Sequence, residues 1–223
     1  MARPKVPLIS KRAALQAALE IIDAEGIDAL SIRRLADRLG VNGASLYHHF
    51  RSKDEIIVGA AKVALEEVRA PQGHEEPWEV WLLRNARRLR AALQAHPDLI
   101  PVMLRREPLG IGTAQLEATF AHLVEEGVPV GAIAPMMEAL ESYAIASVLH
   151  ESGGHLAPDP ERHPYLARAA GQRSLDPAEI FELVCRQIVE VTVRTAAARA
   201  AQSPQPVAAK RSTPRRGKSR ASA

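Results

Sequence analysis

SIRRLADRLGVNGASLYHHFRSK, residues 31–53, reads as a helix, a tight turn, a short helix and the cap of a third helix. Ile32, Leu35, Ala36 and Leu39 follow the i, i+3, i+4, i+7 spacing of one apolar helical face. Ser31 stands where an N-cap belongs, with an oxygen for a free backbone N–H. Gly40 follows Leu39 and suits the left-handed conformation that ends a helix. Val41 packs inward and Asn42 is placed to cap the next helix. Ser52 with Glu55 forms a capping box for the helix after that. Two helices joined by so short a turn, with a glycine in it, make a helix-turn-helix over 31–50.

The second helix of that unit is poor as a core element. Only Leu46 and Phe50 are good core residues, and Gly43, Ala44, Ser45, Tyr47 and His48 surround them. A helix with a small, polar outer face and aromatic hydrogen-bonding groups fits a surface that must come close to something. The major groove of double-stranded DNA admits one helix and is the obvious candidate.

Outward from this stretch, every apolar pattern is helical. Residues 1–9 (MARPKVPLI) read as a flexible arm, in which Arg3 and Lys5 either meet DNA phosphates or belong to a merely disordered terminus. Ser10 caps a helix to Glu25, with Leu15, Leu19 and Ile22 inward, and Gly26 stops it. Three helices in some 45 residues give a headpiece, taken here as residues 10–55. A longer helix from Ser52 to about Arg69 would join it to the rest as one continuous rod, before a break at Pro71–His74. Further helices are expected over 77–95, 98–106, 113–126, 130–152 and from 177 to about 200. Residues 153–177 form a Gly/Pro-rich interruption with a turn of helix near 165–170. No strand pattern appears. The expected fold is all-α: a three-helix headpiece and a larger C-terminal bundle over 56–201.

The chain has 223 residues, 47% hydrophobic but only 4% aromatic, so its core is built of aliphatic residues, which favours helices. The net charge is +3 and invites a nucleic-acid reading, but residues 202–223 hold six basic residues and no acidic one. Taking those six from 29 leaves 23 basic against 26 acidic, so the remainder is slightly acidic. The DNA reading therefore rests on the local pattern, and the basic character belongs to a low-complexity tail expected to be disordered. No apolar run approaches a membrane span and the first ten residues have no signal-peptide core, so a cytoplasmic location with no membrane partner is expected. Cys185 alone excludes an internal disulfide framework, and reads as a small buried helix residue. No nucleophile–base pair, Gly-rich phosphate loop or metal-ligand spacing supports an enzyme, and no cofactor is implied. His48 and His49 point about 100° apart on a helix and do not converge on one ion.

The stretch GIDALSIRRLADRLGVNGASLYHHFRSK, residues 26–53, resembles the DNA-binding signature of TetR/AcrR-type transcriptional repressors. The likeness lies in Leu39-Gly40-Val41, the pair Leu46-Tyr47, His49-Phe50, and Lys53 at the next helix start. The bundle resembles the family in layout, and His96-Pro97-Asp98-Leu99 before a short apolar helix resembles the tetracycline-repressor-like branch. The resemblance implies a homodimer that binds a palindromic operator, represses transcription, and is released by a small molecule entering the bundle. It places the dimer on the helices over 130–152 and 177–200. In that family the position of Arg33 reaches a guanine or a phosphate, and a guanidinium suits bidentate base contact, though a solvated surface arginine remains open.

Gly43, Ala44 and Ser45 open the recognition helix and point at base edges; none makes a bidentate pair. Readout then leans on Ala44 against a thymine methyl, on His48 and on DNA shape. Tyr47, His49 and Lys53 read as phosphate contacts, and Ser31 either as a phosphate contact or as a cap alone. Asn42 completes the DNA-binding set. Candidate pocket residues are Trp81, His96, Met103, Phe120, Met136, Met137, Tyr143 and Ser147; the same residues are also what a helical core contains. Arg105 and Arg106 either meet an anionic ligand or lie on the surface. An activator, or a DNA-binding and dimerisation module without a ligand, is the alternative to a ligand-released repressor.

Overall fold

The computed structural model describes residues 10–66, 68, 76–104, 113–154 and 157–202. The N-terminal arm, Arg105-Arg106, His155 and the basic tail beyond Gln202 lie outside the described residues.

Every described element is helical. The headpiece holds α1 (Lys11–Glu25), a 3-10 turn (Ile27–Ala29), α2 (Ile32–Leu39), α3 (Gly43–Tyr47) and α4 (Lys53–Ala64). The bundle holds α5 (Trp78–Ala95), a 3-10 turn (Pro97–Leu99), α6 (Ile100–Leu104), α7 (Thr113–Glu125), α8 (Val130–Ser152), α9 (Pro164–Gly171) and α10 (Pro177–Gln202). The expected all-α architecture is what the chain adopts.

α1 lies against α4, and the two close on a glycine. A Cβ on Gly59 would stand 2.4 Å from Leu15 Cδ2, so the small residue sets how near the helices come. Ala14, Ala18, Ala60 and Ala61 are fully buried in the same seam. Small residues on both helices thus bring the backbones together, while Ile22, Leu30, Leu35, Leu46, Phe50 and Ile56 fill the centre.

α4 is shorter than its sequence suggested. Its α-helical run ends at Ala64, where the Leu65 N–H turns back to Ala61 and Val63 carbonyls. The turn keeps Leu65 buried and sets Glu66 against Arg12 of α1. Nor is α4 the only link to the bundle. Leu99 and Val102, from the 3-10 turn and α6, are buried in the headpiece core. Each such burial is worth about 1.5–3 kcal/mol. Beside them His96 Nδ1 lies 2.8 Å from Asp23 Oδ1 on α1. The expectation of a single rod between the two parts is therefore corrected: α6 is wedged into the headpiece.

The bundle core joins α5, α7, α8 and α10 through Trp81, Leu82, Leu123, Ile133, Met136, Leu140, Phe181 and Cys185. A smaller cluster of Leu93, Ile100, Ile145 and Val148 sits next to α6. On α7, Leu123 is buried while Leu116 and Val124 are exposed. Burial pushes the Cys185 thiol up to about 12, so it packs as an inert apolar group. α8 corrects one further expectation: it is long and apolar enough to cross a membrane by length and composition. Its apolar side chains Ala132, Ile133, Met136, Leu140, Ala144 and Val148 are instead buried against the neighbouring helices.

Candidate nucleic-acid interface

The α2–α3 unit is fixed by hydrogen bonds that span at most five residues. Ser31 Oγ accepts from the Arg34 N–H at 3.0 Å and opens α2. Gly40, at φ 66° and ψ 33°, closes it in the left-handed region, where a side chain is strained. The Val41 N–H then reaches back to the Ala36 carbonyl at 3.0 Å. Asn42 Oδ1 accepts from the Ala44 N–H at 3.0 Å and opens α3. Only Leu46 of α3 is buried, with Phe50 beyond its end, so the helix is anchored at one side.

That anchoring leaves the other side outward. Ala44, Ser45, Tyr47 and His48 are exposed, Tyr47 by 63%. His49 is half-buried, its ring tilted 57° to Phe50 at 6.3 Å. A Cβ on Gly43 would meet only Ile32 Cγ2 at 3.9 Å, so packing inside the chain leaves room for a side chain there.

The three arginines of α2 differ in what holds them. Arg34 grips Glu25 through both Nε and Nη2, and its guanidinium keeps the Glu25 carboxyl below the usual range. Arg38 pairs with Glu20 at 2.7 Å. Arg33 is exposed and has no charged partner among the described residues. α1 thus pins two of the three and leaves one to reach outward.

At the start of α4, Ser52 Oγ accepts from the Glu55 N–H at 3.2 Å. The return half of the capping box is shifted by one residue: Glu55 Oε2 takes the Arg51 N–H at 2.8 Å rather than that of Ser52. Lys53 Nζ donates to the Asp28 carbonyl oxygen at 3.2 Å, which ties α4 to the 3-10 turn. Two cations at this face escaped sequence reasoning. Lys11 reaches it only because α1 folds back over Phe50, a tertiary event. Arg51 is two residues from Lys53 and was open to the same argument.

The eight candidate pocket residues do not form one group. Trp81, Phe120, Met136, Met137 and Tyr143 share the main bundle cluster, with Tyr143 stacked on Phe181 at 5.5 Å. Met103 packs against the smaller cluster. His96 faces Asp23 at the headpiece junction, and Ser147 Oγ donates to the Ala144 carbonyl at 2.9 Å. Sequence reasoning missed Asn85, one turn beyond Trp81 on α5. Trp81 Nε1 and Asn85 Oδ1 are both buried without a hydrogen-bond partner among the described residues. A polar residue at i+4 on the apolar stripe of Trp81 was the available signal.

Comparison with known proteins agrees with this geometry. Residues 14–60 match the family model described as bacterial regulatory proteins, tetR family. Residues 70–188 match the one described as tetracyclin repressor-like, C-terminal domain. The chain is 31% identical over 145 residues to the class A tetracycline repressor protein from transposon 1721 of Escherichia coli, covering 63% of this chain. The matched part spans 66% of that repressor, and 62% of an HTH-type transcriptional regulator from Saccharopolyspora erythraea that is also 31% identical. Curated relatives are thus matched over just under two thirds of their length. Apo ActR from Streptomyces coelicolor superposes with a TM-score of 0.70 at 30% identity, covering 87% of this chain and 99% of that one. ActR in complex with actinorhodin gives 0.66 at 30% identity, covering 84% and 98%.

Proposed function

The chain belongs to the TetR family of bacterial regulatory proteins, and we propose that it is a cytoplasmic, sequence-specific transcriptional repressor. It binds a palindromic operator as a homodimer and leaves it when a small ligand enters the bundle. The observation that carries this reading is α3: a capped helix held by Leu46 and presenting Ala44, Ser45, Tyr47 and His48 to the outside.

In this reading α3 enters the major groove. Gly43, Ala44 and Ser45 lie along base edges, with Asn42 and His48 flanking them. Arg33, the arginine that α1 does not pin, supplies the bidentate base contact. Tyr47, His49, Lys53 and Ser31 hold phosphates, Lys53 by giving up the Asp28 carbonyl or sharing with it. The dimer forms on α8 and α10, whose outer face carries an apolar groove lined by Ala139, Leu183, Val184, Ile188 and Val191. Two such faces pack as four helices.

The effector lies among Trp81, Phe120, Met136, Met137 and Tyr143. Support comes from the unpartnered Trp81 Nε1 and Asn85 Oδ1, which offer one donor and one acceptor to a guest. ActR, a relative by fold and sequence, was solved with actinorhodin bound. Ligand binding acts on the headpiece through α6, which carries Val102 into its core, by shifting the population of headpiece spacings.

The test is DNA retardation by the purified protein on its own promoter region. Tyr47→Ala combined with Lys53→Ala is expected to weaken binding several-fold through lost phosphate contacts. Tight binding untouched by both changes would remove those contacts from the interface.

A further inference from the structure

The recognition helix does not end the outward face of the headpiece. Beyond it lies a groove where the first turn of α1 meets the turn between α3 and α4, lined by Lys11, Tyr47, His49, Phe50, Arg51 and Glu55. The Lys11 ammonium sits 5.2 Å from the centroid of the Phe50 ring and 2.9 Å from Glu55 Oε1. The other carboxylate oxygen takes the Arg51 N–H at 2.8 Å. The Arg51 side chain is exposed and within electrostatic reach of Glu55, but it forms no close ion pair among the described residues.

We propose that this groove seats one further DNA phosphate between Lys11 and Arg51, and that Glu55 is a brake on that contact. The inference rests on the DNA-binding reading of Tyr47 and His49, which line the same groove. A backbone phosphate entering this groove beside Tyr47 would meet the two cations that line it, Lys11 and Arg51. It also meets the Glu55 charge, which is 37% exposed on its side chain. Closing the turn with the Arg51 N–H does not require that charge, although the pair with Lys11 uses it. A glutamine oxygen can accept the same Arg51 N–H, so a neutral residue of equal length closes the turn equally well. The carboxylate is held below its usual range by the Arg51 N–H and by Lys11, so it stays charged wherever DNA is met. Choosing glutamate here gives up non-specific affinity and so favours discrimination, since phosphate contacts attract every sequence alike.

The experiment measures operator and unrelated-DNA affinity against salt for the full-length protein and four variants. Glu55→Gln is expected to bind both DNAs about threefold tighter at low salt, the size of one like-charge interaction across solvent. Lys11→Gln and Arg51→Gln are each expected to weaken both DNAs and to lower the slope of log affinity on log salt by about 0.9. Lys11→Arg should restore the slope, which separates charge from packing on Phe50. Arg51→Gln leaves the backbone N–H in place, so it remains informative even where Glu55→Gln lowers the melting temperature. An Arg51→Gln slope equal to that of the wild type, or Glu55→Gln binding no tighter at unchanged melting temperature, overturns the proposal. Failure of the wild-type protein to bind any DNA would instead overturn the reading of the whole interface.

Discussion

The four headpiece helices each begin on a side chain that accepts a backbone N–H: Ser10, Ser31, Asn42 and Ser52. In the bundle, α10 opens on Asp176, which accepts the Glu179 N–H, but α5 and α8 begin behind Pro77 and Pro129 with no side-chain cap. The contrast continues in the interior. Among the described residues, Trp81 Nε1, Arg84 Nε, Asn85 Oδ1 and Arg90 Nε are buried without a hydrogen-bond partner, and all four lie on α5. No headpiece side chain joins them. Buried polar groups without partners cost free energy, so a folded chain keeps them where something else rewards them. The headpiece is finished before it meets DNA. The bundle keeps unfilled hydrogen-bonding capacity, which is what a receiver of small molecules needs.

The largest test of this contrast is Phe50→Ala. Phe50 is 1% exposed beneath α3, and its truncation is expected to cost about 3–5 kcal/mol in chemical denaturation and to abolish DNA retardation. Retained operator binding would mean that α3 is not held by that core. Next comes Arg33→Ala, expected to weaken operator binding by about 1–3 kcal/mol with an unchanged melting curve. An equal loss on unrelated DNA would reassign Arg33 to a phosphate.

The sharpest comparison pairs one change from each region. Ser31→Ala removes a cap and should cost about 1 kcal/mol of stability. Asn85→Leu removes a buried, unpartnered acceptor at similar volume and should be neutral or stabilising, while blunting effector-induced release of DNA. If Asn85→Leu destabilises as much as Ser31→Ala, the bundle is as fully satisfied as the headpiece.

The smallest effect is on pH. Arg87 holds the Glu182 carboxyl below its usual range, helped by Arg186. A carboxyl whose folded value is lowered stabilises the fold above its unfolded value, and that contribution fades as pH falls through the folded value. Arg87→Met should therefore lower stability at neutral pH and flatten the acid limb of the melting profile below about pH 4.5.

What the sequence disclosed follows the range of the forces involved. Caps and the Gly40 turn are local, and Ser10, Ser31, Gly40, Asn42 and Ser52 act as their neighbours predicted. The bounds of α8 were readable for the same reason: Pro129 precedes it and Gly153-Gly154 follows. Core membership is not local. Leu99 and Val102 have the pattern of a short bundle helix, and nothing within ten residues says that they belong to the headpiece. His96 has the look of a pocket residue until the fold brings Asp23 beside it. Lys11, at the far end of α1, comes beside Tyr47 and Phe50 only through the packing of α1 on α4.

Leu99 and Val102 also bear on how such proteins are recombined. A chimera that joins this headpiece to a foreign bundle after residue 66 would leave behind two side chains of the headpiece core, and with them the partner of Asp23. The transplantable unit is discontinuous: residues 10–66 together with the segment 96–102. Grafts that carry both pieces should retain operator choice and thermal stability, whereas grafts of the first piece alone should carry a hole where α6 belongs.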